Sequence, residues 1–416
     1  MPIQNPHAAL FARIHADSTR MEADLAAWVA MDTHSANKQG VDALGALLCT
    51  RLEAMGFRVA ELVNGVHGRT LVARRGPRPT DVSGGDDGPR NAATHPILLL
   101  GHMDTVHAAS AGFNSLQRVE GSTHAKGAGA ADMKGGLVVL LHALEALHAE
   151  GLLDRRALRV VLNGDEEVGS PASGELIRAE ATDCGLCLCF EAGRVADGGS
   201  TFVTRRKGMM RLSVRARGRS AHAGVEPSLG ASAVRELAGK VGPIEDLADA
   251  ATGTTVLVGT FHGGTAANTV PEEATLDIDV RFDDDDVRQQ VEDDLQGILR
   301  KPVVRDAAGR PRVATTIRER VFRPPMEASV VSEGLAAELV RLAAEHGQVL
   351  VPEARGGSSD AALAADVGCP ALCGLGAVGG AFHTRDEWVD LASLPQRTVL
   401  LARLILDLGL VPEPRK

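Results

Sequence analysis

The chain has 416 residues and carries 54 acidic against 44 basic side chains, a formal net charge of −10. That surplus argues against a nucleic-acid partner, and an aromatic content of 3% with no Tyr leaves little surface for stacking bases. The length suits two domains, or one large domain with an insertion.

In chain order, Met1-Pro2-Ile3-Gln4-Asn5-Pro6 lacks the basic and apolar regions of a secretion signal. No apolar run reaches the ~20 residues of a membrane helix. A cytoplasmic location away from membranes is expected, and six cysteines in so long a chain form no disulfide framework. Apolar spacing at Leu10, Ile14, Met21, Leu25 and Val29 predicts a helix from Leu10 to about Met31, and a second runs from Val41 to Met55. Strands are expected around Phe57–Val63 and Thr70–Arg74. Residues 76–94, rich in Gly, Pro and Asp, read as a mobile surface loop and not as a domain boundary.

Pro96-Ile97-Leu98-Leu99-Leu100 reads as a buried strand, Met133–Ala149 as a helix, and Leu158–Leu162 and Leu186–Phe190 as further strands. Strands alternating with helices imply an α/β domain, a mixed and mostly parallel sheet flanked by helices. Ligands gather at the carboxyl ends of such strands. Cys184, Cys187 and Cys189 lie close together here; with no matching Cys or His pair at finger spacing, they read as small core residues.

Around Thr204 the texture changes. Met209–Ala216, Thr254–Gly259 and Ala274–Arg281 read as strands, with helices at Ser228–Leu237 and Val287–Leu299. This is a small α+β layer of ferredoxin-like type, expected at 205–324. Asp283 to Asp286 read as a solvated loop or a helix start, since the D-x-D-x-D-G spacing of a calcium loop is absent. From Ser329 the α/β texture returns, so the first domain, 1–204 and 325–416, is interrupted by the second.

Gly101-His102-Met103-Asp104-Thr105 closes the buried strand. Residues i and i+2 of an extended chain face one side, so an imidazole and a carboxylate are presented together. Further acids and a histidine stand at other element ends. Asp132 precedes a helix, where a cap is the structural alternative. Asp165-Glu166-Glu167 follow the 158–162 strand, and three acids in a row repel unless a cation offsets them. Glu191 follows the 186–190 strand, and His383 lies in a Gly-rich loop. An exposed acidic turn, a loop glutamate and a surface histidine are the alternatives at these places. Jointly, His102, Asp132, Glu167, Glu191 and His383 are suitable ligands for two divalent ions such as zinc. Asp104 can then orient His102, and Glu166 can take a proton from water.

The chain resembles the di-zinc exopeptidases that include glutamate carboxypeptidase, acetylornithine deacetylase and succinyl-diaminopimelate desuccinylase. The resemblance rests on Gly101-His102-Met103-Asp104-Thr105-Val106, Ala131-Asp132-Met133-Lys134-Gly135-Gly136, Gly164-Asp165-Glu166-Glu167-Val168-Gly169-Ser170, Phe190-Glu191 and Phe382-His383-Thr384. It spans about Leu10 to Leu410. It implies one zinc on His102, Asp132 and Glu191 and another on Asp132, Glu167 and His383, with cobalt or manganese as other candidates. Glu166 would be the general base and Asp104 the orienting carboxylate.

Gly218-Arg219-Ser220-Ala221-His222-Ala223-Gly224 is similar to the family's lid motif. By that likeness 205–324 is a lid and dimerisation domain, and His222 would stabilise the oxyanion in the partner subunit's site. Asn268, Arg281 and Gly357, the last within Gly356-Gly357-Ser358-Ser359-Asp360, match positions associated with substrate, although a helix cap at Asp360 explains that turn nearly as well. Gly127-Ala128-Gly129 and Ala221 depart from the usual pattern without removing a ligand. The implied function is hydrolysis, by metal-activated water, of the amide bond of an N-acyl amino acid or peptide with a free C-terminal carboxylate. Glutamate carboxypeptidase is the nearest form. An N-acyl-amino-acid deacylase is the alternative, and a non-catalytic metal-binding relative a remote one.

Overall fold

A computed structural model describes residues 7–76, 95–108 and 111–408. Two compact units divide it: Met1–Arg205 with Ala328–Arg355 and Ser359–Lys416, and Arg206–Glu327 with Gly356–Ser358. The expected loop at 76–94 falls almost wholly outside the described residues.

The first unit opens with α1 (Ala8–Ala16), α2 (Ser18–Val29) and α3 (Lys38–Ala54), then β1 (Arg58–Leu62), β2 (Gly68–Arg75) and β3 (Ile97–His102). Short strands β4 (Gln117–Arg118) and β5 (His124–Lys126) precede α4 (Gly135–Ala149), β6 (Leu158–Gly164), α5 (Gly174–Thr182), β7 (Leu186–Cys189), β8 (Val195–Ala196) and β9 (Gly199–Arg206). The second unit holds β10 (Gly208–Arg217), α6 (Ala233–Glu245), β11 (Thr255–Gly263), β12 (Glu273–Phe282), α7 (Asp285–Arg300) and β13 (Ala314–Arg323). The chain then returns through α8 (Val330–Glu345), β14 (Leu350–Arg355), α9 (Ala361–Asp366), β15 (Ala371–Leu372), β16 (Gly379–Gly380), β17 (Trp388–Asp390) and α10 (Ser393–Asp407).

The main sheet of the first unit has six strands in the order β1-β2-β6-β3-β7-β15. β3 runs parallel to β6 and β7, and β15 parallel to β7, while β1 and β2 close one side antiparallel. β3 is central and buried along its whole length, which is why its sequence is continuously apolar where a half-exposed strand would alternate. Helix α4 is buried on nearly every side. It approaches β7 closely because position 136 is glycine: a Cβ there would stand 1.9 Å from the Phe190 carbonyl oxygen.

The second unit is a four-stranded antiparallel sheet, order β11-β12-β10-β13, with α6 and α7 packed over one apolar face. Its order β-α-β-β-α-β is the expected ferredoxin-like one. Along β10, Met210, Leu212, Val214 and Ala216 are buried and their alternates face outward. The acidic run is a helix start: Asp284 caps α7 by accepting the N–H of Val287 at 2.8 Å.

Two elements differ from expectation. The single helix expected over Leu10–Met31 is broken at Asp17, whose carboxylate turns to Arg20 and His142. The helix expected at Ser228–Leu237 starts later, at Ala233, capped by Ser232. Residues before it form a short turn, Pro227–Leu229, and Ala231 bridges Arg219, which pulls this stretch out of the helix. Among the described residues, no helix is long and apolar enough to cross a membrane. The cysteines are free thiols, and Cys184, Cys187 and Cys189 are buried. Burial pushes the Cys184 thiol up to about 12.

Candidate metal centre

Three neighbouring strands deliver side chains at their carboxyl ends. His102 ends β3, Glu166 and Glu167 form a turn after β6, and Glu191 follows β7. Asp132 comes from the turn before α4, where Gly129 takes a φ of 66° and the Asp132–Met133 peptide is cis. His383 comes from the loop after β16, its own backbone in the left-handed region at φ 62°.

The two oxygens of Asp132 face different imidazoles. Oδ1 lies 3.4 Å from Nε2 of His102, which lies 3.7 Å from Oε1 of Glu191. Oδ2 lies 3.4 Å from Nε2 of His383, which lies 3.3 Å from Oε2 of Glu167. These separations exceed good hydrogen bonds. Accordingly, His102 Nε2, Asp132 Oδ1 and Glu167 Oε1 are buried with no hydrogen-bond partner. Buried polar atoms are seldom left so. Ligand atoms of His102, Asp132 and Glu167 lie within 4.8 Å of one another, and their types suit zinc, so the residues fit a metal.

Electrostatics point the same way. Burial opposes charge on His102, yet the Asp104, Asp132 and Glu191 carboxylates raise its pKa well above the ordinary histidine range. Asp132 and Glu167 hold His383 up at about 10. Asp132 is lowered against the pull of its burial by the two imidazoles, and Glu167 is raised by burial and by the Asp132 charge. The same carboxylates that favour positive charge on the imidazoles would favour a cation among them.

Supporting groups set these positions. The His102 Nδ1 is 2.9 Å from the backbone carbonyl of Asp104 and 3.4 Å from its carboxylate. That carboxylate accepts the Ser35 hydroxyl at 2.7 Å and the backbone N–H groups of Glu166 and Glu167 at 3.1 and 3.2 Å. Glu387, which sequence reasoning missed, accepts the N–H groups of Gly129, Ala131 and Asp132 at 3.2, 2.9 and 3.1 Å. It holds the Asp132 turn from across the chain. Its signal in the sequence is faint, an acid directly before the short strand β17.

The remaining expected site residues lie in the second unit. His222 and Asn268 are exposed on adjacent loops, joined by the bridge His222–Thr269 and by Ala223 N–H donating to the Asn268 carbonyl at 2.9 Å. Arg281 makes a two-point contact with Asp279, at 2.8 and 3.1 Å. The Gly357 carbonyl accepts from Arg206 Nη1 at 2.8 Å.

Histidines and carboxylates converging at the strand ends of a covered sheet define a class, the metal-dependent hydrolases. The model described as Peptidase family M20/M25/M40 matches residues 98–407, and the chain belongs to that family. It is 32% identical over 385 residues to carboxypeptidase G2 from a Pseudomonas species, covering 92% of this chain and 87% of the relative. It is 30% identical over 403 residues to acetylornithine deacetylase from Myxococcus xanthus, covering 92% and 96%. The fold is similar to that of an M20 family metallo-carboxypeptidase from Sulfolobus solfataricus, with a TM-score of 0.71, 17% identity, and coverage of 94% and 99%. The protein is therefore a metallohydrolase of peptide or amide bonds.

Proposed function

We propose that this enzyme is a di-zinc exopeptidase that releases a C-terminal amino acid, glutamate-like at best, from an N-acyl amino acid or short peptide. The observation that carries it is the division of Asp132 between two imidazole–carboxylate pairs, His102 with Glu191 and His383 with Glu167. When bound, the ions supply Lewis acidity, polarising the scissile carbonyl and lowering the pKa of the attacking water.

Glu166 accepts a proton from that water as its oxygen attacks the carbonyl carbon. It then returns the proton to the departing amine, so the amide C–N bond breaks and no net proton is consumed. Asp104 holds His102 and the Glu166 amide at once. His222 stabilises the oxyanion. Its Nδ1 accepts the Gly224 N–H at 3.1 Å, which fixes the tautomer with a donor at Nε2. Asn268, Arg281 and Gly357 bind substrate, and Arg281 keeps Asp279 on its Nε and Nη2 while Nη1 donates to a carboxylate. Residues 1–204 and 325–416 are the catalytic domain, 205–324 the lid. The working form is a cytoplasmic homodimer joined through the lid, a reading supported by β11, an edge strand on which Leu257 is 57% exposed.

A deacylase acting on acetylornithine-like substrates is the second reading, supported by the Myxococcus relative. A screen of N-acyl amino acids varied at both ends tests both, with zinc, with chelator, and with Glu166→Gln. Preference for the released amino acid supports the carboxypeptidase. Preference for a short acyl group supports the deacylase. Equal rates in the wild type and Glu166→Gln sink the mechanism.

A further inference from the structure

We infer that Asp360 is a positioning residue for the glutamate turn 166–168, acting through Ser170 and Asn163; the inference rests on reading Glu166 as the base. The turn is fixed at both flanks as well as through the amides that Asp104 holds. On its leading side, the Asp165 carboxylate accepts the N–H groups of Ala172 and Ser173 at 2.7 and 3.2 Å and the Ser173 hydroxyl at 2.5 Å. On its trailing side, Ser170 Oγ donates to Asp360 Oδ1 at 2.5 Å. The other Asp360 oxygen accepts from Asn163 Nδ2 at 2.7 Å.

Asn163 stands beside His102 in the register of β3 and β6, and its carbonyl accepts the Met103 N–H at 2.7 Å. Asp360 thus ties the far end of the glutamate turn to the strand pair that carries His102. Asp360, Ser170 and Asn163 are 3%, 4% and 0% exposed.

Two observations separate this from a helix cap. Asp360 occupies the N-cap position of α9, yet its side chain makes no capping hydrogen bond. Ser170 is held at φ 54°, a conformation disfavoured for a residue with a Cβ. Its hydroxyl on Asp360 helps to hold it there, together with its N–H on the Asp165 carbonyl at 2.8 Å. A buried hydrogen-bonded network of this kind is rigid, and a misplacement of ~1 Å in a catalytic group costs up to ~100-fold in rate.

The test uses the full chain loaded with zinc and the N-acyl amino acid turned over fastest in the screen, N-benzoyl-L-glutamate being tried first. Ser170→Gly tolerates the backbone conformation and removes only the hydroxymethyl group. Ser170→Gly and Asp360→Asn should each lower kcat about tenfold or more and leave KM within about threefold. The double variant should be no slower than the worse single one, because both cut the same link. Wild-type kcat in both single variants overturns the inference, and so do losses that multiply in the double. Glu166→Gln separates the two readings. If it turns over normally, the base assignment fails and the inference falls with it. If it is inactive while Ser170→Gly and Asp360→Asn work normally, only the inference fails.

Discussion

The His102 ring is oriented by the main-chain carbonyl of Asp104, 2.9 Å from Nδ1, more closely than by the Asp104 carboxylate at 3.4 Å. The carboxylate is engaged elsewhere, on the Ser35 hydroxyl and the Glu166 and Glu167 amides. One buried residue therefore sets a histidine with its backbone and the glutamate turn with its side chain.

Asp104→Asn places an amide NH₂ where an oxygen now receives N–H donors. The expected outcome is a 10–100-fold loss in kcat and a weakening of zinc affinity on the same order. Steady-state kinetics and chelator competition measure the two. Unchanged values for both would contradict the role given to the carboxylate.

Glu387→Ala strips three backbone N–H groups of their acceptor. Each unsatisfied buried donor costs roughly 1–3 kcal/mol, so the variant should unfold several degrees lower and hold zinc poorly. Asp386→Ala next to it removes only an ion pair with Lys126 from a side chain that is 79% exposed, and should change little. Calorimetry on both variants decides.

Stripping the metal with a chelator should abolish hydrolysis and lower the thermal midpoint. A ligand at 100 times its Kd stabilises by about 2.7 kcal/mol. Zinc should restore both. Because Asp132 and Glu167 hold the pKa of His383 up at about 10, zinc uptake at neutral pH is expected to expel protons. Titration calorimetry in buffers of different ionisation heat counts them, and zero release contradicts the ligand assignment.

Acid should weaken the first unit through the cluster of Asp17, Asp24 and Glu145 with Arg20, Arg51 and His142. Hydrogen bonds to Arg20 and His142 lower Asp17, and those to His142 and Arg51 lower Asp24 against its burial. Arg51 and Arg20 lower Glu145, again against burial. Carboxyl groups depressed in the folded state add stability above their unfolded pKa of about 4, and this is lost as pH falls through the folded values. Urea midpoints should drop below pH 4, and less steeply in Asp24→Asn.

The buried thiols should be silent. Cys187 and Cys189 are raised well above the usual thiol range, Cys187 by burial and Cys189 by a hydrogen bond with the Cys373 thiol and by burial. An aromatic disulfide reagent at pH 8 should label neither in the native protein and both in denaturant. Fast native labelling would show an opening that the packing does not suggest.

By itself the sequence determined most element types and the interruption in α/β texture, and it singled out His102, Asp132, Glu167, Glu191 and His383, which the fold brings together. These are legible because apolar period, turn residues and ligand chemistry are local properties of the chain. Where a local pattern competed with a distant partner, it misled: periodicity ran through Asp17, but His142 on α4 holds that carboxylate at the helix break. Only the tertiary structure decided which oxygen of Asp132 faces which imidazole, and that Asp104 supports the glutamate turn. It alone brought in Glu387, 255 residues from the Asp132 amide that it accepts, and the contact of Asp360 with Ser170, 190 residues away. Such contacts are made by chain closure across the sheet, and closure leaves no period or spacing in the sequence to be read.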